Sequence, residues 1–230
     1  MQEKLASLLL RGTSFLFGGS CFVCRGAACA LLCAQCEAEL PRLELPLCPR
    51  CALKSPGGAV CGRCLSQSPA YDATQAALAY DFPADALVHA LKFRGELALA
   101  PLLAGFLADK VRADSVDHVV PVPLSAARLR HRGYNQAVEI ARHLRKDLLE
   151  LSLCVRTRET PPQIELPYAE RQRNVRGAFH CTRALLGANV AVVDDVMTTG
   201  ATLHEVARTL KRAGAARVVN WVVARTLPHD

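Results

Sequence analysis

"VVDDVMTTGAT", Val192–Thr202, sets two adjacent carboxylates directly before a small, hydroxyl-rich turn. The run "ANVAVVDD" (188–195) ahead of it is short and apolar, as a strand buried on both faces reads. The run "TLHEVARTLKRAGA" behind it places Leu203, Val206, Ala207 and Leu210 on one helical face, and Gly214 stands where a helix-ending glycine belongs. A strand, a tight turn and a helix start make an anion site, because backbone N–H groups and threonine hydroxyls converge there. Gly200 lets that turn close tightly. A lone phosphate would be repelled by Asp194 and Asp195, so the turn poses a question about what else the ligand carries.

Familiar phosphate loops are excluded by spacing. A Walker A loop needs a lysine after its second glycine, and the dinucleotide fingerprint needs three glycines. A receiver domain carries its aspartates early in the chain, whereas only 35 residues follow Asp195. Outward from the turn the pattern is alternating. "VDHVVPVP" (116–123) reads as a buried strand stopped by prolines, and "ARVVNWVVA" (216–224) as another strand. "NQAVEIARHLRKDLLE" (135–150) reads as a helix with Asn135 as its N-cap. Strands alternating with helices predict an α/β fold, a parallel sheet flanked by helices.

The first third is different. Cys, Gly and Pro dominate, and eight of the eleven cysteines form four C-x-x-C pairs: Cys21/Cys24, Cys33/Cys36, Cys48/Cys51 and Cys61/Cys64. Such a turn offers two thiolates on one side, and two turns complete the tetrahedral Cys₄ shell that Zn²⁺ prefers. A segment of about 45 residues is also too small to be held by core burial alone. The spacing therefore predicts two structural zinc ions in a double zinc ribbon, paired in sequence or interleaved. Cys29, Cys154 and Cys181 are left over, and Cys154 in "LSLCV" reads as a buried small hydrophobe.

These features divide the chain into an N-terminal amphipathic segment (1–20), a double zinc ribbon (21–68) and an α/β domain (69–230), with "SQSPAYD" (66–72) as linker. Glu3 sits in what would be the basic start of a targeting peptide and Arg11 splits the apolar run, which argues against such a peptide, and the run is too short to span a membrane. The expected location is the cytoplasm, with no membrane partner. Eight thiolates and two Zn²⁺ would lower the formal charge of +7 to +3. From residue 128 to 176 there are eleven Lys/Arg against six Asp/Glu, so one segment accounts for the basicity of the larger domain. Aromatic residues are 5% of the chain, and Tyr134 and Phe93 are the ones near the basic blocks.

At the level of motifs, "VVDDVMTTGAT" resembles the phosphoribosyl pyrophosphate (PRPP) loop of type I phosphoribosyltransferases. "VVPVPLSAARLRHRGYNQA" (119–137), "RTRETPPQ" (156–163), "ERQRNVRGAF" (170–179) and "LVHALKFRGE" (87–96) narrow the resemblance to the ComF/GntX family, competence-associated phosphoribosyltransferase-like proteins with an N-terminal double zinc ribbon. The resemblance implies the type I phosphoribosyltransferase fold. It assigns the ribose hydroxyls to Asp194 and Asp195, as catalytic residues, and the 5′-phosphate to Thr198, Thr199, Gly200, Ala201 and Thr202. Pyrophosphate contacts fall to Arg132, Asn135 and Gln136. A flexible loop would bring Arg156, Thr157, Thr160, Gln163, Arg171 and Asn174 over the ligand, and Mg²⁺ would accompany PRPP. The aspartates then make sense: the turn takes a phosphate and the carboxylates accept hydrogen bonds from a sugar.

Two functions follow from the resemblance. One is transfer of ribose 5-phosphate in DNA uptake or natural transformation, to an acceptor for which no base-reading pattern is visible. The other is a non-catalytic single-stranded-DNA-binding or adaptor protein, working with other competence proteins and using the PRPP site for regulation.

Overall fold

A computed structural model describes residues 19–111, 115–159 and 174–228. Residues 1–18 of the expected amphipathic segment lie outside the described residues, as do Thr160, Gln163 and Arg171 of the expected flexible loop. The elements in chain order are β1 (Gly19–Ser20), β2 (Ala27–Ala28), α1 (Ala34–Ala38), α2 (Gly62–Ser66), β3 (Ala73–Ala79), α3 (Ala84–Phe93), α4 (Leu99–Val111), β4 (His118–Pro121), α5 (Ala126–Arg132), α6 (Gln136–Arg142), β5 (Cys154–Arg156), β6 (Phe179–Cys181), β7 (Asn189–Met197), α7 (Ala201–Arg212) and β8 (Arg217–Arg225).

The central sheet has four strands in the order β3-β8-β7-β4, all parallel. Its inner strands β7 and β8 carry valines on both faces, as a sheet covered twice requires. Val119, Ala191, Val193, Val219, Trp221 and Val223 face one core with α3, α4 and α6; Val120, Val190, Val192, Val218 and Val222 face the other with α7 and the β5–β6 hairpin. Trp221 is fully buried in the first core.

The two cysteine clusters join different cores. Cys21 and Cys36 pack into the first, and Cys48, Cys51 and Cys64 into the second. The chain between them covers the open edge of β3. Leu43 N–H donates to Ala77 O at 3.0 Å, Ala79 N–H to Pro41 O at 2.7 Å, and Thr74 N–H to Pro49 O at 3.0 Å. An exposed parallel edge invites pairing with other chains, so this cover gives the ribbons a structural task.

Three expectations shift in detail. β7 runs through both aspartates to Met197, which places the carboxylates inside the strand's end. The helix expected from 135 to 150 ends at Arg142. Beyond it Glu150 N–H donates to Val119 O at 2.9 Å and Leu149 bridges Val119, because the edge strand β4 has unsatisfied backbone groups that outbid a longer helix. Asn135 is the N-cap as expected, its side chain accepting from Ala137 N at 3.0 Å. The stretch read as a linker is tied down: Tyr71 is buried, and Ala70 N–H donates to His204 Nδ1 at 3.1 Å.

A candidate sugar-phosphate site and two cysteine clusters

β7 delivers Asp194 and Asp195 to the carboxyl edge of the sheet, and the chain turns at once into α7. Gly200 is the N-cap of α7 with φ +80. A Cβ there would lie 2.7 Å from Met197 Cε and 2.9 Å from Tyr71 Oη, so both conformation and space demand glycine. Thr199 is buried, and its Oγ1 accepts from Ala201 N at 3.2 Å; Thr198 is exposed. The turn is thus closed and presents the start of a 12-residue helix to whatever lies above it.

Asp195 is 4% exposed and held by two partners from distant elements. Lys92 Nζ of α3 lies 3.2 Å from Oδ2, and Gln136 Nε2 of α6 donates to the same oxygen at 3.1 Å. Val196 N–H donates to Oδ1 at 2.8 Å. Burial by itself would raise the Asp195 pKa, but Lys92 and Gln136 outweigh it and hold the carboxyl below its usual range. Asp194 Oδ1 accepts from Asp195 N–H at 3.0 Å and Lys92 favours its charge, but both are outweighed. Burial first, and the neighbouring Asp195 charge second, push it up to about 8. Two carboxyls this close divide into one anion and one acid at neutral pH. Lys92 is raised by Asp195 and stays charged.

Beside the carboxylates lie two buried polar atoms without hydrogen-bond partners, Arg132 Nη1 and Gln136 Oε1. The Arg132 guanidinium lies over the Phe93 ring at 5.3 Å. Asn135 commits both side-chain groups to the chain itself, since its Nδ2 also donates to Val122 O at 3.0 Å. It shapes the loop after β4. Among the described residues of the expected flexible loop, Arg156 packs over Phe179 at 5.4 Å, and burial, then Arg128 and Arg158, lower its pKa to about 10. Thr157 N–H donates to Ala178 O at 2.9 Å, and Asn174 O accepts from Arg158 Nη2 at 3.1 Å.

A groove of about 450 Å³ adjoins this site, lined by Phe22, Arg25, Tyr80, Phe82, His89 and Arg94 among others. Phe82 is 64% exposed. His89 packs against Phe93 with ring centroids 4.7 Å apart. Burial raises the Tyr80 phenol, while Lys92, Asp195 and Asp85 all act on it electrostatically, which places the ring between groove and carboxylates. Sequence reading found Phe93 and Tyr134 near the basic blocks and missed the other aromatics, which arrive from positions scattered along the chain.

The cysteines form two groups of four, Cys21/Cys24/Cys33/Cys36 and Cys48/Cys51/Cys61/Cys64, with all sulfurs of a group within 4.8 Å of one another. Zn–S bonds of about 2.3 Å in a tetrahedron place sulfurs about 3.8 Å apart. The Cys24–Cys33 and Cys51–Cys61 sulfurs are 3.8 Å and 3.6 Å apart, so both groups fit Zn²⁺. Backbone N–H groups of Cys33 and Cys24 lower the Cys21 thiol to about 6, favouring the thiolate that zinc needs. Pairing is therefore sequential, an outcome that spacing left open. Cys29 stands outside both groups and Cys154 is buried.

The phosphoribosyl transferase domain family matches residues 101–227, and the double zinc ribbon domain family matches residues 13–65. The chain belongs to the phosphoribosyl transferase family. Within that family it is 34% identical over 223 residues to DNA utilization protein YhgH of Salmonella typhimurium, covering 91% of this chain and 98% of that protein. It is 31% identical over 226 residues to Competence protein F of Haemophilus influenzae, with the same coverage of 91% and 98%. Competence protein ComFC of Bacillus subtilis is 28% identical over 216 residues, covering 85% and 84%.

Removing Lys92 strands a buried carboxylate. Lys92→Met is expected to cost about 3 kcal/mol in urea unfolding, and adding Asp195→Asn to recover most of it. Equal, additive losses would show that the pair is not coupled.

Proposed function

We propose that this protein binds PRPP with Mg²⁺ and transfers ribose 5-phosphate, acting in the cytoplasm on DNA uptake or use. The observation that carries the reading is the pair of unpartnered buried atoms beside the aspartates. A buried donor on Arg132 and a buried acceptor on Gln136 are costly unless a ligand supplies an anionic oxygen to one and a hydroxyl to the other. A sugar phosphate carries both. The relatives named for competence and DNA utilization support the setting. Among the described residues no helix is long and apolar enough to cross a membrane.

In this reading residues 198–202 take the 5′-phosphate on backbone N–H groups and the threonine hydroxyls. Asp194 and Asp195 accept hydrogen bonds from the ribose 2′- and 3′-hydroxyls, and Lys92 and Gln136 fix the orientation of Asp195. Arg132 receives pyrophosphate, and Asn135 with Gln136 sets the loop that carries it. Arg156, Thr157, Thr160, Gln163, Arg171 and Asn174 belong to a loop that closes over the ligand and excludes water. Positive charge that develops at the sugar ring faces the aspartates, which favours departure of pyrophosphate. Mg²⁺, a hard cation suited to these oxygen donors, would neutralise the pyrophosphate as it leaves.

The test is titration calorimetry with PRPP and Mg²⁺, alongside a zinc assay. Losing two charge-assisted hydrogen bonds, each worth about 1.5–3 kcal/mol, predicts at least a hundredfold weaker binding for Asp194→Asn/Asp195→Asn, with two zinc ions retained. An unchanged titration contradicts the assignment.

A second reading is favoured by the groove lined by Phe22, Tyr80 and Phe82 with Arg25, His89 and Arg94, and by Phe93 and Arg132 stacked beside His89. Aromatic faces and guanidinium groups suit bases and phosphates of single-stranded DNA, so the protein would bind DNA without turnover, work with other competence proteins and use the PRPP site for regulation. Base stacking worth about 1–3 kcal/mol predicts that Phe82→Ala weakens single-stranded DNA binding about tenfold, with affinity falling steeply from 50 to 200 mM salt. Pyrophosphate release from PRPP on adding nucleobase or DNA decides for the transferase; DNA binding without release decides for the second reading.

A further inference from the structure

Arg225, the last residue of β8, is 1% exposed and reaches into the space between the second cysteine cluster and the turn of residues 197–200. Its Nε donates to Cys51 O at 2.8 Å, inside a C-x-x-C turn. Its Nη1 donates to Met197 O and Thr226 O, both at 2.8 Å, and to Thr198 O. The next carbonyl in the series is held from the ribbon itself: Arg63 of α2, between Cys61 and Cys64, donates from Nη2 to Thr199 O at 3.0 Å. Tyr71 closes the same side against Gly200.

Arg225 and Arg63 thus hold three successive carbonyls, of Met197, Thr198 and Thr199, and the Met197 carbonyl also accepts from Thr226 N–H at 3.0 Å beside the β7–β8 pairing. In a planar trans peptide the C=O and the N–H of the same unit point in opposite directions. Fixing those carbonyls fixes the N–H groups of Thr198, Thr199 and Gly200 away from the two guanidinium groups, on the side where α7 begins. The first cysteine cluster packs in the other core.

We propose that Arg225 and Arg63 are positioning residues through which the second zinc site sets the anion-binding face of the turn, so that zinc occupancy at Cys48/Cys51/Cys61/Cys64 and ligand occupancy at the turn are coupled. The coupling to a sugar phosphate rests on the function proposed above; the coupling of zinc site to turn geometry does not. Reciprocity follows for binding free energies: whatever factor zinc contributes to ligand affinity, ligand contributes to zinc retention. It also ties the site to thiol chemistry, since loss of zinc from the second cluster would loosen the turn while leaving the aspartates on their strand.

The experiment uses the full chain and three variants. Cys61→Ser disrupts the second cluster, Cys33→Ser disrupts the first, and Arg63→Met keeps all eight cysteines while removing the guanidinium from Thr199 O. Amide hydrogen exchange over residues 196–202 is expected to quicken about tenfold in Cys61→Ser and in Arg63→Met, and to stay unchanged in Cys33→Ser. Arg63→Lys should restore part of the protection. In the same proteins ribose 5-phosphate is the probe. Its affinity should fall about tenfold where exchange quickens, and in the native chain it should slow release of one of the two zinc ions to a chromogenic chelator. Unchanged exchange in both Cys61→Ser and Arg63→Met, or equal acceleration in Cys33→Ser, would overturn the proposal. Accelerated exchange in a protein that does not bind ribose 5-phosphate would uphold the positioning role and remove the sugar-phosphate reading instead.

Discussion

Two carboxyl groups at the buried end of one strand cannot both ionise cheaply, and the site is organised around that constraint. Asp195 keeps its charge because Lys92 and Gln136 reach it from two other elements. Burial and the Asp195 charge oppose ionisation of Asp194 and raise its carboxyl to about 8. The elements that bring Lys92 and Gln136 to the carboxylate are held by the first core, where α3 and α6 pack on the sheet. A change that loosened this core would reach the site through one charge. The chemistry at the strand end and the packing beneath it are in this sense one problem.

The ribbons enter the same problem from outside. Each contributes cysteines to one of the two cores, and the chain between them closes the β3 edge. A ribbon of this size cannot be ordered by apolar burial, whereas Zn²⁺ binding contributes on the order of 10 kcal/mol of folding free energy to small metal domains. Metal stability can therefore be passed to a turn that must hold its amides in place against a mobile ligand. A sheet with an uncovered edge and a free phosphate turn would need some other support for both.

Much of the fold is legible in the chain because its signals are local. The apolar runs of β7 and β8, the spacing of α7, the Asn135 cap and the glycines at 200 and 214 each state their conformation within a few residues. Partners supplied from afar are not legible. Lys92 lies 103 residues before Asp195, in the 87–96 stretch that the sequence marks only by its family resemblance. Arg225 lies just past the apolar run 216–224 that reads as a strand, and only the fold shows it among four carbonyls. The groove's rings come from Phe22, Tyr80, Phe82 and His89, too scattered to form a motif. The helix expected to reach residue 150 ends early because an edge strand competes for its backbone, which no helical period can announce.

The central claim is that the ligand of this site meets the aspartates with hydroxyl groups and the turn with a phosphate. Carbon-13 titration of the Asp194 and Asp195 carboxyls, with and without ribose 5-phosphate and Mg²⁺, tests it most directly. In the free protein Asp194 should be protonated at pH 7 and lose its proton as pH rises through about 8, while Asp195 stays ionised. Hydroxyl donors favour the charged carboxylate, so ribose 5-phosphate should ionise Asp194 at pH 7 and release a proton. Carboxyl signals that titrate identically with and without the sugar phosphate would contradict the account.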